Sequence, residues 1–171
     1  LSNGNLLACG TANFVKNGAV VLFDAKGNVL WSKQAGPEVV IWSDLRALPD
    51  GSFALLGRGN VGGIEKPSVT HLDANGNVLR FLTFTYAAPG AIESFNAREQ
   101  LVQDADGSLT ATVSYSNGDL MAIKFKVDGS LQWSKKFTKM YQSDLVKADG
   151  TSGYLLGRTI EPIIGKGKNF E

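Results

Sequence analysis

Apolar positions along this chain come in short runs of four to six, and turn residues punctuate every run. Ser52-Phe53-Ala54-Leu55-Leu56, Ser68-Val69-Thr70-His71-Leu72 and Ala122-Ile123-Lys124-Phe125 are examples. Asn-Gly, Asp-Gly or Lys-Gly pairs follow or precede them. Such pairs supply the positive φ that tight hairpin turns need. β-Branched and aromatic residues fill the runs, as pleated half-buried surfaces favour. No window keeps an i, i+3, i+4, i+7 apolar pattern for ten residues, because Gly or Pro interrupts each candidate. The pattern predicts an all-β chain of short antiparallel strands.

Two patterns alternate and repeat. One is a polar turn followed by an apolar strand ending in Gly: Ser2 to Gly10, Pro49 to Gly57, a weaker copy from Ala105 to Thr112, and Asp149-Gly150 continuing into Gly153 to Gly157. The other is a strand, a turn and a strand: Val20 to Lys33, Val69 to Arg80, and Ala122 to Lys135. Its turn glycines, Gly27, Gly76 and Gly129, recur about 50 residues apart, which is the range of propeller blades. Trp42-Ser43-Asp44-Leu45 opens a unit and recurs as Gln142-Ser143-Asp144-Leu145, with Ser94-Phe95-Asn96-Ala97 as a degenerate copy.

Each unit reads as four strands. A single four-stranded sheet of this size buries only one face; stacking several around an axis buries both. The expected fold is therefore a β-propeller segment of four-stranded antiparallel blades, about 3.4 repeats of ~50 residues. Expected boundaries are a partial blade at 1–36, blades at 37–86 and 87–138, and a partial blade at 139–171. The strand count expected is three, four, four and two. Both ends fall inside a repeat, which predicts a piece of a larger ring, completed by further blades or by a second copy. Trp31 and Trp133 fall at equivalent outer-strand positions with Arg80 between them, and the expectation is packing between blades.

Asp24-x-x-Gly27-x-x-x-Trp31 resembles the tryptophan motif of quinoprotein-like (PQQ-like) propeller repeats, one residue shorter and without the Thr before the Gly. The combined pattern, Ser-Asp with Asp-Gly-x-Leu-Leu-x-Gly and then Val-x-Leu-Asp-x-x-Gly-Asn-Val-Leu-Trp-Ser-Lys, is similar to the SBBP-like repeats of bacterial exported and surface propellers. The resemblance spans nearly the whole chain. It implies an extracellular, cell-surface or periplasmic protein with a scaffold, adhesion or protein- or glycan-binding role. It implies no shared catalytic residue.

Charge and chemistry narrow this little further. The formal charge is +1, so no strong field points to nucleic acid. No apolar run is long enough for a membrane span. One cysteine, Cys9, allows no internal disulfide. It is read as a small buried hydrophobe. The residues before Leu6-Leu7-Ala8-Cys9 are too polar for that tetrapeptide to act as a lipobox. Gly57-Arg58-Gly59-Asn60-Val61-Gly62 fits a dinucleotide fingerprint, but a strand follows where that site needs a helix. Asp73 to Asn77 and Asp104 to Ser108 look like calcium loops, yet Gly and the distal acid are misplaced for an EF-hand. Calcium is thus a minor alternative to having no cofactor. His71 is the sole histidine, which excludes a multi-histidine metal site, and it sits mid-strand.

Asp44 and Asp144, with Arg58 and Arg158, recur where loops would ring a channel mouth. They are the candidate binding rim, although their recurrence blade by blade favours a structural role, as turn or cap residues between blades. Two further functions stay open: half of a propeller enzyme whose site lies in other blades, and a subunit that assembles through open blade edges.

Overall fold

The computed structural model describes residues 1, 3–11, 18–84, 99–115, 118–138, 143–147 and 154–158. Every regular element among them is a strand. They are β1 (Leu6–Thr11), β2 (Gly18–Phe23), β3 (Val29–Gln34), β4 (Val39–Ala47), β5 (Phe53–Val61), β6 (Ile64–Leu72) and β7 (Val78–Thr83). β8 (Gln100–Gln103), β9 (Leu109–Ser114), β10 (Leu120–Phe125), β11 (Leu131–Phe137), β12 (Ser143–Lys147) and β13 (Tyr154–Arg158) follow. All pairings are antiparallel between strands consecutive in sequence. They form four sheets of three, four, four and two strands: β1 to β3, β4 to β7, β8 to β11, and β12 with β13. None of these sheets closes on itself.

The turns explain the short runs. Between β2 and β3, Asp24 N donates to Asn28 O (2.8 Å) and Gly27 N to Asp24 O (3.0 Å), with Gly27 at φ +86°. This is a three-residue hairpin loop closed by a left-handed glycine, the arrangement that adds a one-residue bulge. The same two bonds recur at Asp73–Asn77 and Lys126–Ser130. A second bulge follows each turn, between Leu22 and Phe23, His71 and Leu72, and Lys124 and Phe125. It sets Trp31, Arg80 and Trp133 opposite Leu22, His71 and Lys124, so these three side chains are structurally equivalent.

Burial follows strand position. β5 is buried from Phe53 to Gly59 and β9 along its whole length, whereas β3 and β11 are largely exposed. Alternation splits β5 between two cores. Phe53 and Leu55 pack with Val20, Val39, Trp42 and Leu72, against Leu7, Cys9 and Trp31 of the first sheet. Ala54 and Leu56 pack with Leu101, Leu109, Ala111, Ile123 and Phe125 of the third sheet. The second sheet is therefore covered on both faces by its neighbours. The strand that opens each sheet also abuts the next: β1 lies against β4, β4 against β8, and β8 against β12.

The last strand of one sheet rests on the hairpin turn of the next. Trp31 Nε1 donates to Ala74 O (3.3 Å) and its ring lies over Gly76, where an added Cβ would come within 2.9 Å of it. One sheet on, Arg80 Nη1 donates to Val127 O (3.4 Å), and Leu82 covers Gly129. The contact between sheets expected of Trp31 is thus present, and Arg80 makes its counterpart. At Trp133 the corresponding turn would lie beyond the described residues.

Candidate functional site

The polar cluster at the junction of the second and third sheets is built by the first-strand pattern. Ser43 and Asp44 sit at a register break of β4, between Trp42 and Asp44, which lets neighbouring side chains reach the third sheet. Asp44 Oδ2 accepts from Leu101 N (2.7 Å), and its Oδ1 accepts from Leu45 N (2.8 Å) and Arg46 Nη1 (2.9 Å). Ser43 Oγ is within hydrogen-bonding reach of Leu56 O (3.2 Å) and of Glu99 Oε2. Arg58 is buried on β5. Its Nη1 donates to Glu65 Oε2 (3.1 Å) and its Nε is 3.8 Å from Glu99 Oε1.

Glu99 is 5% exposed. Burial pushes its carboxyl above the ordinary range, while the Ser43 hydroxyl and the Arg58 guanidinium oppose that shift. Ser43 has one hydroxyl proton, so at any moment it donates to either the Leu56 carbonyl or the Glu99 carboxyl.

The acids of this cluster are tied to backbone and to arginines: Asp44 to Leu101 N and Arg46, Glu65 and Glu99 to Arg58. That arrangement joins sheets. Its most exposed charged member is Arg46, which sequence reasoning did not single out. Of the rim candidates, Asp44 and Arg58 are brought together here through the β4–β5 pairing. Asp144 lies in β12 opposite Gly157, and Arg158 ends β13 opposite Ser143. The side chains of those two strands lie outside the described residues.

Glu99 also escaped the sequence reading. Ser94 to Ala97, taken as the third copy of the Ser-Asp landmark, lie outside the described residues. Pairing instead puts Gln100 opposite Thr112 as Asp44 is opposite Leu56, which gives Glu99 the place of Ser43. Spacing held the signal: Leu101 precedes Gly107 by the same six residues that separate Leu45 from Gly51.

A second constellation gathers Asp50, Ser52 and His71. His71 Nε2 is 2.8 Å from Ser52 Oγ, and Ser52 Oγ donates to Asp50 Oδ1 at 2.5 Å. The order differs from a nucleophilic triad, in which the imidazole stands between hydroxyl and carboxylate. Here the carboxylate accepts the serine's hydrogen bond directly, and His71 Nε2 contacts the same serine oxygen. Burial lowers the His71 pKa and Arg80 adds to that, against Asp50. The same Asp–Ser pair closes the third sheet's turn, as Ser108 Oγ donates to Asp106 Oδ1 (2.5 Å). A repeated turn, with a histidine added in one copy, accounts for the contact.

The calcium-like loops are also self-satisfied turns. Asp73 Oδ1 accepts from Asn75 N (2.9 Å) and Asn77 N (2.8 Å), and Oδ2 accepts from Asn77 Nδ2 (2.9 Å). These bonds hold its carboxyl below the usual range. Asp24 repeats them with Lys26 and Asn28. Lys124 Nζ reaches Asp104 Oδ2 (2.9 Å) and Asp106 Oδ2 (3.7 Å) in the other loop. No group of three or more His, Cys, Asp or Glu suited to a metal occurs among the described residues. Cys9 is half-buried, and burial with the nearby Asp44 charge pushes its thiol up to about 11. That suppresses the thiolate on which cysteine reactivity depends.

A cavity of about 280 Å³ opens between the outer strands of the second and third sheets, lined by Leu82, Phe84, Met121, Ile123, Leu131 and Ser134. No helix among the described residues is long and apolar enough to cross a membrane.

No protein-family model matches the chain, and no curated protein matches it. Among solved structures it is similar to a crystal structure of the eukaryotic initiation factor, at 19% identity and a TM-score of 0.46. That match covers 74% of this chain and spans 31% of the other. A likeness of that degree transfers no property to this chain.

Proposed function

We propose that the chain is part of a β-propeller that serves as a non-catalytic scaffold or as a platform for a protein or glycan ligand. The observation that carries the architecture is the second sheet, buried on both faces by its neighbours, with the opening strands of successive sheets side by side. Radial stacking of antiparallel sheets accounts for both facts together. The non-catalytic reading draws on the candidate acids, which are engaged with backbone and arginine, and on the order of Asp50, Ser52 and His71. The resemblance of the repeats to exported bacterial propellers supports an extracellular, cell-surface or periplasmic setting.

A glycan array and an immobilised panel of extracellular-matrix proteins test the binding role. Retention that drops at least tenfold in Arg46→Ala, with the fold unchanged by circular dichroism, is the expected result. Turnover of a polysaccharide, or a quinone carried through purification, would overturn it.

A further inference from the structure

The first sheet lacks a strand that the second and third have: it has three where they have four, and β1 takes no partner among the described residues on the edge away from β2. The repeat assigns β1 the place of β5, with Gly10 at Gly57 and Leu6 at Phe53. At Gly57 an added Cβ would lie 2.0 Å from Ile41 O, because the opening strand crosses directly over it. At Gly10 an added Cβ would meet no described atom within 4 Å. Phe53 and its third-sheet counterpart Leu109 are 3% and 1% exposed, whereas Leu6 is 62% exposed. The turns agree. Gly76 lies under Trp31 and Lys33, and Gly129 under Leu82, but a Cβ added at Gly27 would meet no described atom within 4 Å. Three independent positions thus lack the cover that their equivalents have: the edge, the face and the turn.

The chain itself carries the covering parts. Trp133 and Lys135 stand on β11 where Trp31 and Lys33 stand on β3. β12 bears the Ser-Asp-Leu opening pattern and adjoins the third sheet. Its partner β13, with Leu156-Gly157, carries the same motif as Cys9-Gly10 of β1.

Resting on the stacked-propeller reading, we infer that the open side of the first sheet is an interface for a second copy of this chain. β12 of one copy takes β1 of the other in place of its own β13. The result is a complete four-stranded sheet, β12 followed by the partner's three strands, seated beside the third sheet. Trp133 then lies over the partner's Gly27. Exchange of equivalent elements between protomers is a low-cost route to a dimer, and done reciprocally it closes the assembly.

Sedimentation equilibrium up to about 200 µM, a range that reaches weak interfaces, is expected to give the mass of two copies. Gly10→Val puts a branched side chain under the incoming strand while meeting open space in the monomer. It is expected to weaken association at least tenfold with no loss of secondary structure, whereas the exposed Val78→Lys leaves association unchanged. In the β12–β13 register Leu145 faces Leu156, the equivalent of Cys9. Mild oxidation of Leu145→Cys is therefore expected to bridge position 145 of one copy to Cys9 of the other, identified by peptide mass. A chain that stays monomeric throughout, yet unfolds in one cooperative transition, overturns the interface and leaves the stacked reading standing. A dimer indifferent to Gly10→Val also overturns it. Sheets that melt separately overturn the stacked reading, and this inference with it.

Discussion

Single side chains at the second junction carry opposite pH signatures. Glu99 has a raised carboxyl pKa in the folded state, so the fold prefers its acid form. Its contribution to stability is full below the unfolded carboxylate pKa and is lost as pH rises through the folded one. The charges around it are Arg58 on β5, Asp44 on β4 and Glu65 on β6. Glu99→Gln is expected to flatten the fall in urea midpoint between pH 5 and 8 without raising stability at pH 4. Urea titrations across that range check it. His71 runs the other way. Its lowered pKa means that stability is present above the unfolded histidine value and falls as pH drops through the folded one. An NMR titration of its ring is expected to give a midpoint below that of a free histidine, moving up toward it when the unfolded chain is titrated. The turn aspartates Asp24, Asp73, Asp106 and Asp128 have lowered pKa values from hydrogen bonds within their own turns, so their support is lost only in acid. These carboxylates face solvent, and screening keeps each effect small.

Elements were the most legible level in the sequence, for a physical reason. Turn chemistry is local: Asp73, Gly76 and Asn77 fix their hairpin with bonds inside five residues, so their spacing in the chain declares it. Equivalence of Trp31, Arg80 and Trp133 was readable because a bulge after each turn is set by the same local pattern. Contacts between sheets are not local, and that is where reading failed. Glu99 meets Ser43 across 56 residues; spacing aligns the two positions, but the burial of an acid there depends on the assembled junction. The recurrence of Asp44 pointed to a structural role between blades; that its partner is Leu101 N needed the third sheet in place. Glycine positions give the sharpest test at this level. Gly57→Ala forces a Cβ against the Ile41 carbonyl and is expected to cost several kcal/mol, of the size seen for overpacking a tight core. Gly10→Ala meets open space and is expected to leave the denaturation midpoint of the monomer within error. Paired chemical melts of the two variants decide it.

At the scale of the molecule, two cores meet in one strand. Leu55 and Leu56 are adjacent, both fully buried, and packed in opposite directions. Leu55→Ala and Leu56→Ala are each expected to cost about 2–5 kcal/mol, the usual price of a buried leucine truncation. Because the second sheet is shared, both should lower one common unfolding transition. Calorimetry checks this: two separated transitions, each answering to one variant, would mean that the junctions act independently. The sheets being stacked was foreseeable, since a lone four-stranded sheet of this composition leaves one apolar face wet. How the stack is completed was not, because that depends on surfaces that meet only after folding.

Within every sheet the strands lie side by side in the order in which they occur along the chain. Each pairing therefore closes a short loop, and the entropy of closure stays small. Such topology favours fast local assembly over slow long-range search. A nascent chain need not wait for its distant end. Once Thr83 has left the ribosome, every strand of the second sheet is available to pair, and the face bearing Ala54, Leu56 and Val69 is ready to template the third. For the second and third sheets, the order of pairing can follow the order of synthesis, one sheet laid against the next.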